Sequence, residues 1–209
     1  KLVNTYPQSP FRADAKLGIG DAYLGEGRAD SVVLAANEFR EFLQFFPLSG
    51  RADYAQYKLA IAQMRQMLGP ERDQTATRNA LAEFDRFLQG YPTSPLKPEV
   101  EKLRREVRDR LSESEFRVGL FSYRSRNYGG AVARLTGLLK EDPEYTFRDG
   151  AYFYLAETYV KVLESEKTPE QMKDQLRKDA VANYEKIVAE FKTSEYLERA
   201  KKRLAEFTR

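Results

Sequence analysis

The chain has 209 residues, 35 Lys+Arg against 32 Asp+Glu, a net charge of +3, and no cysteine, histidine or tryptophan. Those absences exclude a thiol nucleophile, a Ser-His-Asp triad, a thiolate or imidazole zinc site and any disulfide. The small charge gives no concentrated basic face for nucleic acid, and no apolar run approaches the roughly 18 residues of a membrane span.

With 42% hydrophobic and 32% charged residues, the composition suits a folded, helix-rich chain. Apolar periodicity and turn residues predict helices near 11–24, 31–46, 51–68, 73–90, 97–126, 129–141, 147–165, 169–191 and 195–207, with no strand. The first contains Lys16-Leu-Gly-Ile-Gly-Asp-Ala-Tyr23, and the second closes on Glu38–Ser49, EFREFLQFFPLS. The third carries Tyr57-Lys-Leu-Ala-Ile-Ala-Gln63, and the fourth, with Asp73 as a candidate N-cap, closes on Glu83–Ser94, EFDRFLQGYPTS. The long fifth helix contains Phe116-Arg-Val-Gly-Leu-Phe-Ser-Tyr123, and the sixth ends within Arg134–Tyr145, RLTGLLKEDPEY. The seventh contains Phe153-Tyr-Leu-Ala-Glu-Thr-Tyr159. The eighth, with Thr168 as candidate N-cap and Pro169 in its first turn, closes on Asn183–Ser194, NYEKIVAEFKTS. The ninth, built on Tyr196, Leu197, Ala200, Leu204 and Phe207, is a capping helix.

These segments repeat. Pro47, Pro92, Pro143 and Lys192 take one position, 45, 51 and 49 residues apart (92−47, 143−92, 192−143). Twelve residues before each stands Ala35, Ala80, Ala131 or Ala180, and eight before each stands Phe39, Phe84, Leu135 or Tyr184. The alanine marks a close helix approach, the large residue one turn later fills the gap, and proline ends the helix. Each upstream partner helix holds an apolar-small pair: Ile19-Gly20, Leu59-Ala60, Val118-Gly119 or Leu155-Ala156. This resembles the tetratricopeptide pattern. The fold class expected is an all-α tetratricopeptide-repeat solenoid of about five helix pairs, the first truncated. Thr5-Tyr6-Pro7-Gln8-Ser9 reads as the end of that first repeat. Its phase puts Lys1 inside a helix, so a segment is expected upstream. Relative to the third repeat, the first, second and fourth carry 3, 8 and 12 extra residues between their helices.

No catalytic constellation emerges, and neither cofactor nor metal is expected. Glu101–Arg105, Glu106–Arg110 and Glu198–Lys202 read as solvated pairs at helical spacing. Lys102, Arg104, Arg105, Arg108 and Arg110 are interleaved with acids and lack stacking aromatics, which argues against nucleic acid. A helical glycosidase would need two facing acids, which nothing indicates. The apolar-small pair places Tyr54, Tyr57, Ile61 and Met64 on the concave face of the second repeat, as a candidate peptide groove. The competing reading is that the helix at 97–126 buries them as core.

The run Asp73-Gln74, Ala80, Phe84, Tyr91-Pro92, Ser94, then Leu111, Glu115, Tyr123, Arg126, Tyr128, Ala131, Arg134 and Asp142-Pro143, resembles the BamD family of the bacterial β-barrel assembly machinery. The resemblance implies a non-catalytic scaffold on the periplasmic face of the outer membrane. Attachment would be through a lipidated cysteine upstream of Lys1. Residues 1–95 would form a half that meets unfolded outer-membrane proteins and accessory lipoproteins of the complex. Residues 96–209 would form a half that holds the POTRA domain of BamA. Arg134 matches the family arginine at that contact, against the reading of an ordinary exposed arginine, and Arg148 is a second candidate. An alternative is another periplasmic repeat adaptor, the Tol-Pal-associated cell-division coordinator, which shares the Tyr-Pro-x-Ser endings. Departures from the family are Glu141-Asp142 for the usual aromatic before Pro143, Phe121-Ser122 where paired aromatics are common, and the charged insertion Glu164 to Lys178.

Overall fold

The computed structural model describes residues 9 and 11–207; the repeat ending at Thr5–Gln8 lies outside the described residues. Among them are nine helices and no strand: α1 (Arg12–Glu26), α2 (Ala29–Phe45), α3 (Ala52–Met64), α4 (Thr75–Gly90), α5 (Lys97–Arg124), α6 (Tyr128–Glu141), α7 (Arg148–Leu163), α8 (Glu170–Glu190) and α9 (Leu197–Phe207). Consecutive helices pack as pairs, which is the tetratricopeptide-type solenoid expected. The chain forms two compact units, Lys1–Leu111 and Ser112–Arg209, so α5 contributes to both.

In the first unit the repeat anchors do what their spacing implies. Ala35, Phe39, Ala80 and Phe84 are fully buried. A Cβ on Gly20 would lie 2.8 Å from Phe39 Cε1, so only glycine lets α1 approach α2 this closely. Ala60 serves the same purpose opposite Ala80, Phe84 and Phe87. Burying one such phenylalanine stabilises the fold by about 1.5–3 kcal/mol. Gly27, at φ 70°, ends α1 in the left-handed conformation that favours glycine and reverses the chain into α2.

In the second unit Ala131, Leu135, Ala180 and Tyr184 are likewise fully buried. Here Gly119 abuts Leu135, and Ala156 packs with Ala180 and Tyr184.

The connections between pairs are uniform. Residues 46–51, 91–96, 142–147 and 191–196 each join one pair to the next in six residues. In each, the first backbone N–H closes the preceding helix onto Phe42, Phe87, Leu138 or Ile187, and two successive turns follow. Ser94 Oγ donates to Asp53 Oδ2 at 2.6 Å, and Ser194 Oγ donates to Asp149 Oδ2, tying the end of each pair back to its own beginning. The third pair uses a swapped arrangement: Ser112 Oγ donates to Asp142, and the hydroxyl of Tyr145 to Glu113. That accounts for the departure at Asp142. A buried carboxylate replaces the aromatic because α5 supplies a hydroxyl to meet it.

Several local expectations are corrected. The third helix stops at Met64 rather than 68, because Gln66 and Met67 turn back onto Gln63 and Met64. Gln74 Nε2 then clasps the loop through the carbonyls of Gly69 and Arg72. Asp73 sits one residue outside the cap position, where it accepts the N–H of Thr75 at 2.9 Å. Thr168 does not cap α8; its hydroxyl satisfies the carbonyl of Val162 at the end of α7. Surface ion pairs keep helical spacing with shifted partners: Lys97–Glu101, Arg105–Asp109 and Lys201–Glu198.

Candidate partner-binding surfaces

The predicted groove residues lie along α3 and are all half-buried, but they face two different clusters. Tyr54 turns toward the α1–α2 core, and its hydroxyl donates to Asp21 at 2.9 Å. Lys58 Nζ lies 3.4 Å from the same carboxylate and 5.2 Å from the Tyr54 ring, and the Arg51 guanidinium lies 5.1 Å from that ring. Burial and then the Asp21 contact raise the Tyr54 pKa above the ordinary tyrosine value. Tyr57 and Met64 instead pack with Phe84, Phe87, Val100, Leu103 and Val107, part of which is α5, and Ile61 joins both clusters.

In the second unit Arg134 is 56% exposed, and its Nη1 lies 3.2 Å from Glu115 Oε2 on α5. Two apolar side chains on α5 are also exposed, Val118 at 41% and Phe121 at 71%. Arg148 is more confined: it donates to the carbonyl of Tyr145 at 3.1 Å, and its guanidinium sits 4.8 Å from the Phe191 ring. Of the two predicted arginines, Arg134 keeps the freer guanidinium.

The feature that sequence reasoning missed is a polar lock between α7, α8 and α9. Arg203 Nε and Nη2 bind both carboxylate oxygens of Glu157 at 2.8 Å, and the Tyr184 hydroxyl donates to the same group. The Glu157 side chain is 9% exposed. Burial alone would raise its pKa, but the bonds from Arg203 and Tyr184 outweigh that and leave it below the usual range. The Tyr184 hydroxyl is driven strongly upward by burial and by that carboxylate.

This lock repeats the Lys58–Asp21 pair in phase. In both, the acid directly follows the small residue of one repeat, and the cation precedes the Leu-Ala pair of a later helix: Lys58-Leu59-Ala60 and Arg203-Leu204-Ala205. That shared tripeptide is the signal that could have found it. In the third repeat the acid position is Leu120, and the cation position on α7 is Tyr154, which packs against Phe116 and Tyr123. Aromatic contacts there replace the ion pair.

Among the described residues no cluster of His, Cys, Asp or Glu could hold a metal, and no helix is long and apolar enough to cross a membrane.

A family model described as YfiO, an outer membrane lipoprotein, matches residues 1–176. Among curated relatives, an outer membrane protein assembly factor BamD from Caulobacter vibrioides is 25% identical over 163 residues, 78% of this chain and 52% of that protein. The protein of the same name from Xylella fastidiosa is 24% identical over 170 residues, covering 77% of this chain and 57% of its own length. That from Vibrio cholerae is 23% identical over 153 residues, 68% of this chain and 62% of its own. The chain thus spans about half to three-fifths of the length of these relatives.

Proposed function

Because this chain belongs to the YfiO outer membrane lipoprotein family, we propose that it is a non-catalytic scaffold for assembly of outer-membrane β-barrel proteins. It works on the periplasmic face of the outer membrane, held there by a lipid anchor on the longer protein. Residues 96–209 hold the POTRA domain of BamA. Residues 1–95 receive unfolded outer-membrane proteins and accessory lipoproteins of the complex. A helical repeat scaffold suits this work, since it offers an extended surface whose specificity lies in exposed side chains.

The observation that carries the reading is the state of Arg134. Its side chain is 56% exposed and its carboxylate partner, at 3.2 Å, is the 42% exposed Glu115. An exposed pair of this kind contributes little to the fold, so Arg134 can be released at small cost to form a bidentate pair with a partner carboxylate. Exposed Val118 and Phe121 on the neighbouring helix add apolar area to the contact. Arg148 supports this face as a structural tie through Tyr145 and Phe191.

The test is calorimetric titration of the chain with a BamA POTRA fragment. Arg134→Glu sets a carboxylate beside Glu115 and removes the fork, and a loss of about tenfold or more in affinity is expected. Unchanged affinity, with an unchanged helical spectrum, would refute the contact. For the N-terminal half, the α3 residues Tyr54, Tyr57, Ile61 and Met64 form the peptide-receiving stripe. Tyr57→Ala should weaken binding of a C-terminal β-barrel peptide, and normal binding would remove that assignment.

A further inference from the structure

In the second unit, α7 and α9 flank an open cleft of about 230 Å3 lined by Phe153, Glu157, Arg199, Lys202, Arg203 and Glu206. That is below the roughly 300–1,000 Å3 of small-molecule sites, so it suits a side chain rather than a metabolite.

The charges in the cleft do not cancel locally. Arg203 takes both of its carboxylates, Glu157 at 2.8 Å and Glu206 at 3.0 Å. Arg199 and Lys202, exposed and one turn apart on α9, have no ion pair among the described residues. Neighbouring Lys201 has its own partner in Glu198. Arg199 also rests on aromatic rings: its guanidinium lies 4.2 Å from the Phe153 ring centroid and 5.7 Å from that of Tyr196. A cation–π contact of this kind restrains the guanidinium, so less rotamer entropy is lost when a carboxylate arrives. Residues three apart on a helix share a face, so Lys202 reaches the same anion.

We propose that this cleft is a recognition subsite for an acidic segment of a partner polypeptide, with one Asp or Glu side chain received by Arg199 and Lys202 together. Three cations, Arg199, Lys202 and Arg203, against two carboxylates that Arg203 already bonds leave the cleft net positive and select an anion, and the small volume selects one side chain of an extended chain. The site stands on these residues alone, independently of the POTRA reading, and uses neither Arg134 nor α3.

The experiment is fluorescence anisotropy of a labelled, C-terminally amidated Asp-rich peptide titrated with the intact chain, beside its Asn counterpart. The Asp peptide should bind and the Asn peptide should not. Arg199→Gln combined with Lys202→Gln should weaken binding by about tenfold or more. Arg177→Gln combined with Lys201→Gln, which removes the same charge from residues that already have carboxylate partners, should stay within about twofold. Because Arg199 covers Phe153, Lys202→Gln alone is included; it should weaken binding severalfold while melting like the parent chain. Equal binding of both peptides, binding unchanged in the double variant, or no binding at all overturns the proposal. So does displacement of the peptide by inorganic phosphate at equal concentration, which would make the cleft a general anion site.

Discussion

Gly119 sets the distance between α5 and α6, and its replacement gives a sharp test of close packing. A Cβ added there would lie 2.7 Å from Leu135 Cδ2 and 2.9 Å from its Cγ. Ordinary carbon contacts are about 3.5–4.0 Å, so the overlap is close to 1 Å. Leu135 is fully buried and has nowhere to retreat. Such overpacking costs about 1–3 kcal/mol, against which alanine gains about 1 kcal/mol of helix propensity over glycine. The control is Gly137, in the interior of α6, where a new Cβ meets nothing within 4 Å. Gly137→Ala should therefore stabilise by up to about 1 kcal/mol, while Gly119→Ala should be neutral to about 2 kcal/mol destabilising. The difference, free of propensity, is about 1–3 kcal/mol, or on the order of 5 °C in melting temperature. Calorimetric melts of the two variants decide the matter. If Gly119→Ala melts as high as Gly137→Ala, the contact is looser than described. The Gly119 Cβ would lie 3.6 Å from Arg134 Cβ, an ordinary contact, so the clash falls on Leu135 alone.

Other outcomes follow from the same geometry. Arg203→Ala strands the Glu157 carboxylate in a 9% exposed site, and a loss on the order of 2 kcal/mol is expected by denaturant titration. Since the Glu157 pKa is lowered in the fold, its contribution is whole above the unfolded value of about 4.3 and disappears as pH falls through the lower folded value. Melting of the parent chain should thus decline below about pH 4, and Glu157→Gln should flatten that decline. Arg126 adopts φ 60° just after α5, a conformation costing a non-glycine residue about 1–2 kcal/mol; Arg126→Gly should recover about 0.5–1 kcal/mol after its own entropy cost, and a lower melting temperature would contradict this. Ser94→Ala and Ser194→Ala each break a hydroxyl bond to Asp53 or Asp149 and should each cost about 1–2 kcal/mol in urea unfolding, whereas Ser49→Ala, where the hydroxyl oxygen accepts the N–H of Arg51, should cost less.

What could be read from the sequence was whatever recurs. Ala35, Ala80, Ala131 and Ala180 share one spacing because one packing solution recurs, and all four are fully buried. Helix identity followed from that recurrence, and most boundaries fell within two residues. Contacts that bridge elements were hidden. Arg203 and Glu157 are 46 residues apart, and neither stands out until α9 is placed beside α7. The groove stripe on α3 was legible as a helical face, but not its division between two clusters, because periodicity gives direction and not neighbours. Thr168 looked like a cap by type, and it lost that role to an unsatisfied carbonyl at Val162 that only the folded chain brings within reach. At Asp142 the sequence shows only a departure from the family pattern, because the Ser112 that meets its carboxylate lies 30 residues away.

The six-residue connections also govern where the chain can change length. Each serine-to-aspartate bond pins the start and finish of one helix pair together, like the two ends of a clasped hairpin. Growth at the pinned side would pull that clasp apart, while growth at the opposite bend disturbs nothing that holds the pair. The bends inside the pairs, residues 27–28, 65–74, 125–127 and 164–169, run from two to ten residues, while the connections between pairs stay at six, including 46–51, where Ser49 Oγ instead accepts the N–H of Arg51. Those bends are accordingly where new segments can be spliced in, by evolution or by an experimenter attaching a probe, without altering the bonds that close each pair.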